Sequence, residues 1–127
     1  MKPKNNSSTL VESFTHAFNG LSISFITQRN IRIESFALVC VFLFGSLMNI
    51  TIIDLFISLS TIIVVIVAEL LNTSVEFLAD FSSNEKYYEE IKLVKDIAAS
   101  AVLVSVVFCL FMNVVIFTPY IITILQR

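Results

Sequence analysis

The sequence predicts an all-α membrane protein: an N-terminal interfacial amphipathic helix followed by three transmembrane helices. Three observations predict it. Of 127 residues, 57% are hydrophobic and 14% charged, with a mean hydropathy of +0.90, too little charge to cover a compact water-soluble domain. Two glycines and two prolines exclude a turn-rich sandwich or a collagen-like chain. Uncharged stretches then fill 35–53, 55–68 and 97–126, the first and third long enough to cross a bilayer.

Residues 1–8 (MKPKNNSS) are polar throughout and are expected to be disordered. Over 9–28, Leu10, Phe14, Ala17, Phe18, Leu21 and Phe25 recur at three- and four-residue spacing with polar residues between them. That pattern is an amphipathic helix suited to the membrane interface. The uncharged run 35–53 predicts a first span over about 34–53. Run 55–68 is short for a crossing, and helical character continues past Glu69, so the second span is placed at about 55–80. The third run predicts a span over about 95–124.

No signal peptide is expected, because the first 34 residues are mixed in character and the apolar run lacks a small-residue cleavage site. Lys2, Lys4, Arg29 and Arg32 precede the first span, and Lys86, Lys92 and Lys95 separate the second from the third. The 49–54 connection has no Lys or Arg. The positive-inside rule therefore puts the N-terminus and 81–96 in the cytoplasm, with Arg127 as an exception outside. A net charge of −2 leaves no general basic surface, so nucleic acid is not an expected partner. Cys40 and Cys109 lie in apolar runs with no CxxC and read as buried free thiols.

Carboxylates stand where a membrane should forbid them. In AELLNTSVEFLAD (68–80), Glu69, Asn72, Glu76 and Asp80 fall within an arc of about 80° on one helix face. A carboxylate in lipid costs several kcal/mol unless it is paired or faces protein or water. Two readings are open. The helix ends early and leaves Glu76 and Asp80 in water, or the stripe holds Mg²⁺ and a base beside nucleotide phosphates. Leu70, Leu71, Val75, Phe77, Leu78 and Ala79 demand burial alongside and weigh against the first. One protomer has too little protein to shield Glu69, so a neighbouring copy is expected to complete the site.

Lys95 and Asp96 open the third uncharged run and are followed by small residues that suit close helix packing. Lys95 either holds phosphate as a point charge or snorkels to headgroups, and Asp96 caps the helix or positions a metal. In QRNIRIE (28–34), Arg29 and Arg32 anchor to headgroups or serve the site, while Glu34 is another carboxylate near the hydrocarbon edge and Asn30 adds a polar group. His16 reads as an interfacial packing residue and Asp54 as a solvated loop charge. Neither a P-loop nor a GxSxG elbow is present.

The order AFxG, RNxRIE, AELLNTSVEFLAD, KLVKDIAASAVLV resembles the small bacterial integral-membrane lipid kinases, the diacylglycerol kinase and undecaprenol kinase family. That family's signature is E-x-x-N-T-x-x-E-x-x-x-D followed by A-K-D-x-A-A-x-A-V. Glu69, Asn72, Thr73, Glu76, Asp80, Lys95, Asp96 and Ala99 fall in place, and the likeness runs from about Phe14 to Phe117. The resemblance implies one membrane kinase domain over 9–127, a homotrimer in the bacterial inner membrane, and transfer of the ATP γ-phosphate to a lipid hydroxyl with Mg²⁺. By position it implies Glu69 as general base and Asn72 as an orienting group. Glu76 becomes a metal ligand that also meets the nucleotide, and Glu85, Lys86, Tyr88, Lys95 and Asp96 become nucleotide contacts. Glu34, Asp80 and Arg32 are further candidates.

Two departures from the family pattern matter. Gln28 stands where the family has a second metal-binding Glu, so the site loses one negative charge. Either Glu34 compensates, or the chain is a catalytically reduced relative serving as a membrane assembly subunit. Tyr88 stands where the family usually has His, and a Tyr can stack on adenine. The sequence of 28–34 and 91–102 looks closer to the undecaprenol branch, with diacylglycerol as the alternative lipid. An ion-conducting or lysis-type protein would explain three spans but not Asn72, Lys95 and Asp96 in this order.

Overall fold

Thr9 starts the fold with a reciprocal cap. Its backbone N–H donates to the Glu12 carboxylate at 2.9 Å, and Glu12 N–H donates back to the Thr9 hydroxyl at 3.3 Å. Two of the otherwise orphaned N–H groups are thereby satisfied, and helix α1 runs from Leu10 to Thr27. The computed structural model describes residues 9–83, 86 and 88–126; the expectation for residues 1–8 lies outside the described residues.

The apolar row of α1, from Leu10 through Phe14 and Phe18 to Phe25, faces away from the protein, and no residue of α1 is buried. Gln28 is the single extended residue between α1 and helix α2, Arg29–Leu47. Arg32 reaches back across the break and donates to the carbonyls of Phe25 at 3.2 Å and Ile26 at 2.7 Å. It thus satisfies end-of-helix carbonyls and complements the negative end of the α1 dipole.

Helix α2 ends about a turn before the uncharged run that marks it in the sequence. Asn49 takes a positive φ of 51°, a conformation its short polar side chain tolerates, and helix α3, Ile52–Ser83, begins immediately after. Absence of charge therefore overestimates the first span, because a tight turn at a membrane surface needs no charged residue. Gly45 allows close packing here: a Cβ would sit 2.8 Å from Leu55 Cδ1 and 2.9 Å from Ile50 Cδ1, so those side-chain ends would have to shift.

Helix α3 continues unbroken through Asp80, which overturns the reading that it stops early. Helix α4 spans Glu89–Leu125, starting six residues before the expected third span. Glu89 and Glu90 in its first turn favour that start through the helix dipole. Asp96 therefore lies within the helix and does not cap it. With 32 and 37 residues, α3 and α4 are about 48 and 56 Å long, well beyond a hydrocarbon core of about 30 Å. The expected all-helical architecture is present, and α2, α3 and α4 are long and apolar enough to cross a membrane. The protein is a multi-pass membrane protein.

Its interior is inverted relative to a soluble protein. Large apolar side chains such as Phe36, Phe56, Leu71 and Phe111 are exposed, while Ser58, Thr61, Glu69, Asn72, Thr73 and Ser83 of α3 are buried. Helix α3 is the hub, packed against both α2 and α4. Without a hydrophobic force between helices in lipid, polar ties hold them in register. Ser58 donates to Asn113 Oδ1, and Asn113 Nδ2 donates to Thr61 Oγ1 at 3.0 Å and to the Cys109 carbonyl at 2.9 Å.

A second tie closes the turn end. Tyr120 donates to the Asp54 carboxylate at 2.6 Å and accepts from Thr51 N–H at 3.2 Å. Asp54 is thus a half-buried anchor in the first turn of α3, not a free loop charge, because the end of α4 folds over it. Both cysteines are free but half-buried rather than enclosed, since each borders the space between α2 and α4.

Replacing Asn113 by Leu strands the Ser58 hydroxyl and removes the donor to Thr61, whose own hydroxyl stays bonded to the Ser58 carbonyl at 2.7 Å. Unfolding in mixed detergent micelles is expected to show a loss of about 1–2 kcal/mol; an unchanged midpoint would show that the clamp contributes nothing.

Candidate active site

The stripe on α3 is brought into the interior where α2 crosses it. Glu69, only 3% exposed, accepts a hydrogen bond at 2.8 Å from Asn30 Nδ2. A buried carboxylate needs such a donor, and Asn30 reaches it because Gln28 breaks the chain and lets α2 start afresh at Arg29. One helical turn further on, Asn72 donates to Glu76 Oε1 at 3.0 Å. Its own Oδ1 is buried without a partner, as is the Thr73 hydroxyl.

Glu34 lies one turn beyond Asn30 on α2 and is half-buried, with Oε2 buried and unpartnered. Asn30 and Glu34 line the polar end of a groove of about 380 Å³, whose body is Ile33, Ala37, Ile62, Val65, Val102 and Val106, with Cys109 and Leu110. An acceptor-rich head on an apolar groove can take an alcohol whose remainder is hydrocarbon.

A second cavity of about 270 Å³ lies at the junction of α3 and α4. Four of the expected site residues meet there: Asp80, Lys86, Tyr88 and Lys95, with Ser83, Ile91 and Lys92. Lys95 is ion-paired with Asp80, both partly exposed. Among the described residues that engages the only carboxylate lining the cavity and leaves Lys86 and Lys92 as further cations, a setting that suits phosphate groups.

The remaining candidates are placed as follows. Glu76 is half-buried beside Asn72. Gln28 is half-buried at the α1–α2 break, and Asp96 is exposed on α4 outside the cavity lining. Arg32 is occupied with the α1 carbonyls. Glu85 lies outside the described residues. Among the described residues no three His, Cys, Asp or Glu side chains converge on one point.

Sequence reasoning did not assign roles to Asn30, Lys92 and Ser83. Lys92 was within reach, since it precedes Lys95 by three residues and so shares its face. Asn30 was not, because its partner is 39 residues away in sequence.

Comparison with known proteins shows the family. The family model described as prokaryotic diacylglycerol kinase matches residues 15–117. A diacylglycerol kinase of Synechocystis sp. is 39% identical over 98 residues, 77% of this chain and 56% of the relative. An undecaprenol kinase of Bacillus subtilis is 32% identical over 116 residues, 91% of this chain and 94% of the relative. The chain thus spans little more than half the length of the first relative and nearly all of the second. The class is that of membrane-embedded lipid kinases, and the chain belongs to the prokaryotic diacylglycerol kinase family. The resemblance read from the sequence motifs is borne out, and with it the lipid-kinase class of the activity.

Asn30→Leu removes the donor to Glu69 and leaves the carboxylate unpartnered in the interior. Loss of a hydrogen bond to a charged group is expected to cost about 1.5–3 kcal/mol, read as a lower unfolding midpoint in detergent; an Asn30→Gln variant should recover part of it.

Proposed function

We propose that the protein is an ATP-dependent lipid kinase that transfers the γ-phosphate to the hydroxyl of a membrane lipid, undecaprenol in the first instance. The observation that carries this reading is the joining, through α3, of two places: an apolar groove headed by Glu34 and by Asn30, whose amide bonds the buried Glu69, and a lysine-lined cavity at the α3–α4 junction. One holds the alcohol and the other the polyphosphate.

Glu69 is the general base. Its carboxylate takes the hydroxyl proton as the lipid oxygen attacks the γ-phosphorus; the bond from that phosphorus to the β-phosphate oxygen breaks, and ADP leaves. Asn30 fixes the Glu69 carboxylate so that its free oxygen faces the alcohol. Lys86, Lys92 and Lys95 balance the negative charge of the polyphosphate, and Tyr88 in the cavity lining stacks on adenine; roles for Glu85 and Asp96 at the nucleotide rest on the family resemblance alone. Proximity and charge neutralisation supply most of the acceleration in such transfers.

Mg²⁺ is implied by this chemistry. It takes one or two carboxylates plus substrate phosphates, and Glu76 beside the unpartnered buried Oδ1 of Asn72 is a donor set of that kind. Glu76, Asn72 and Gln28 would hold it, and when bound it neutralises β- and γ-phosphate charge. Gln28 in place of a carboxylate weakens that hold.

The positive-inside distribution of Lys and Arg supports a reading in which the N-terminus and the lysine cavity face the cytoplasm at the bacterial inner membrane, where ATP is. A single protomer already buries Glu69, which overturns the expectation that a neighbouring copy must shield it; the homotrimer is carried by the family resemblance alone. Undecaprenol is favoured over diacylglycerol because, below Asn30 and Glu34, the groove lining is hydrocarbon and one thiol. The Bacillus subtilis relative, matched over 94% of its length, is an undecaprenol kinase.

Labelled γ-phosphate transfer in mixed micelles, with undecaprenol and diacylglycerol offered separately, is expected to label undecaprenol. Glu69→Gln should abolish it, and no transfer to either lipid at saturating Mg²⁺ would refute the assignment. In the same assay Gln28→Glu is expected to lower the Mg²⁺ concentration for half-maximal rate by about tenfold, the equivalent of about 1.4 kcal/mol. An unchanged Mg²⁺ dependence would remove Gln28 from the metal site.

A further inference from the structure

Helices α2 and α4 both lean on α3 and, among the described residues, make no backbone-level contact with each other. The space between them holds two cavities: the groove headed by Asn30 and Glu34, and one of about 610 Å³ toward the turn end. Leu110 lines both. On α2 the lining runs from Ile33 through Ala37 and Cys40 to Met48, and on α4 from Val102 through Val106 and Leu110 to Ile121. Steps of three and four keep each set on one helix face, so the two cavities are halves of a single slot. Between Val102 and Ile121 it follows about 29 Å of α4, nearly the hydrocarbon thickness of a bilayer.

Only one end of this slot has polar groups left to satisfy. Glu34 Oε2 is buried there without a donor. At the turn end Asn113 is bonded through both its oxygen and its nitrogen, and the Thr118 hydroxyl donates to the Val114 carbonyl. An acceptor-rich head on a long apolar body matches a hydroxyl on one unbranched track of hydrocarbon. A two-chain lipid would need a second track.

We propose that the α2–α4 slot holds the leading part of one linear isoprenoid chain, and that its turn-end half selects the alcohol by chain length. A short alcohol fills only the half beside Glu34. A long one also buries hydrocarbon from Cys40 and Val114 to Ile121, gaining affinity far from the reacting hydroxyl. The inference rests on the kinase reading above.

Val114→Trp and, separately, Cys40→Trp narrow the turn-end half without touching the site residues. Transfer to undecaprenol is expected to lose about tenfold or more in kcat/KM, with transfer to farnesol within about twofold of wild type. Equal losses for both alcohols, or no loss for either in both variants, would overturn the proposal. A readout independent of turnover is alkylation of Cys40 by a maleimide in the wild-type protein, followed by peptide mass spectrometry. Undecaprenol should slow it and farnesol should not. Protection by neither alcohol, with Cys40 labelled only after the oligomer is dissociated, would show that a neighbouring protomer fills the slot and would overturn the proposal. If the wild type phosphorylates no alcohol, the kinase reading fails, and Cys40 protection still judges the slot.

Discussion

A carboxylate held away from water inside a membrane protein is the constraint on which the rest depends. Glu69 has no opposite charge beside it; it has the amide of Asn30, and that amide is delivered by the N-terminal turn of α2. The break at Gln28, the fresh start of α2 at Arg29 and the Arg32 contacts that steady the end of α1 all serve to put Asn30 there. Buried charge is costly unless it is bonded, so a fold that keeps Glu69 in this position must keep this arrangement of three helices.

The architecture around it follows from the weakness of hydrophobic association in lipid. Helix α3 is tied to α4 at three heights: Asp54 to Tyr120 at the turn end, Ser58 and Thr61 to Asn113 midway, and Asp80 to Lys95 at the charged end. Each tie is modest, but none leaves its donors to hydrocarbon, and together they fix rotation as well as register. The Asp80–Lys95 pair is the most exposed and the least stabilising. It lies beside Lys86, Lys92 and Tyr88 in the lining of one cavity.

Because both α2 and α4 are committed to α3, the face between them stays open. In the proposed reaction this separation gives a hydrocarbon substrate an approach from within the bilayer and a charged co-substrate an approach from water at the junction of α3 and α4, which suits two reactants of opposite solvent preference.

Composition and the spacing of charges by themselves determined the class: three apolar helices after an amphipathic one, and a polar stripe from Glu69 to Asp80 that lipid would not tolerate unpartnered. They did so because helix periodicity and the cost of charge in hydrocarbon act locally, within a turn or two of the chain. The ends of the helices were less legible, since Asn49 turns the chain through backbone geometry and Glu89 starts a helix through its dipole, and neither leaves a trace in hydropathy. Only the tertiary structure decided that Asn30 is the partner of Glu69, that Asp54 is anchored by Tyr120 rather than free, and that Lys92 joins Lys86 and Lys95 about one cavity. The first two join residues 39 and 66 apart, and all three depend on how separate helices are rotated against one another, which a one-dimensional pattern does not encode.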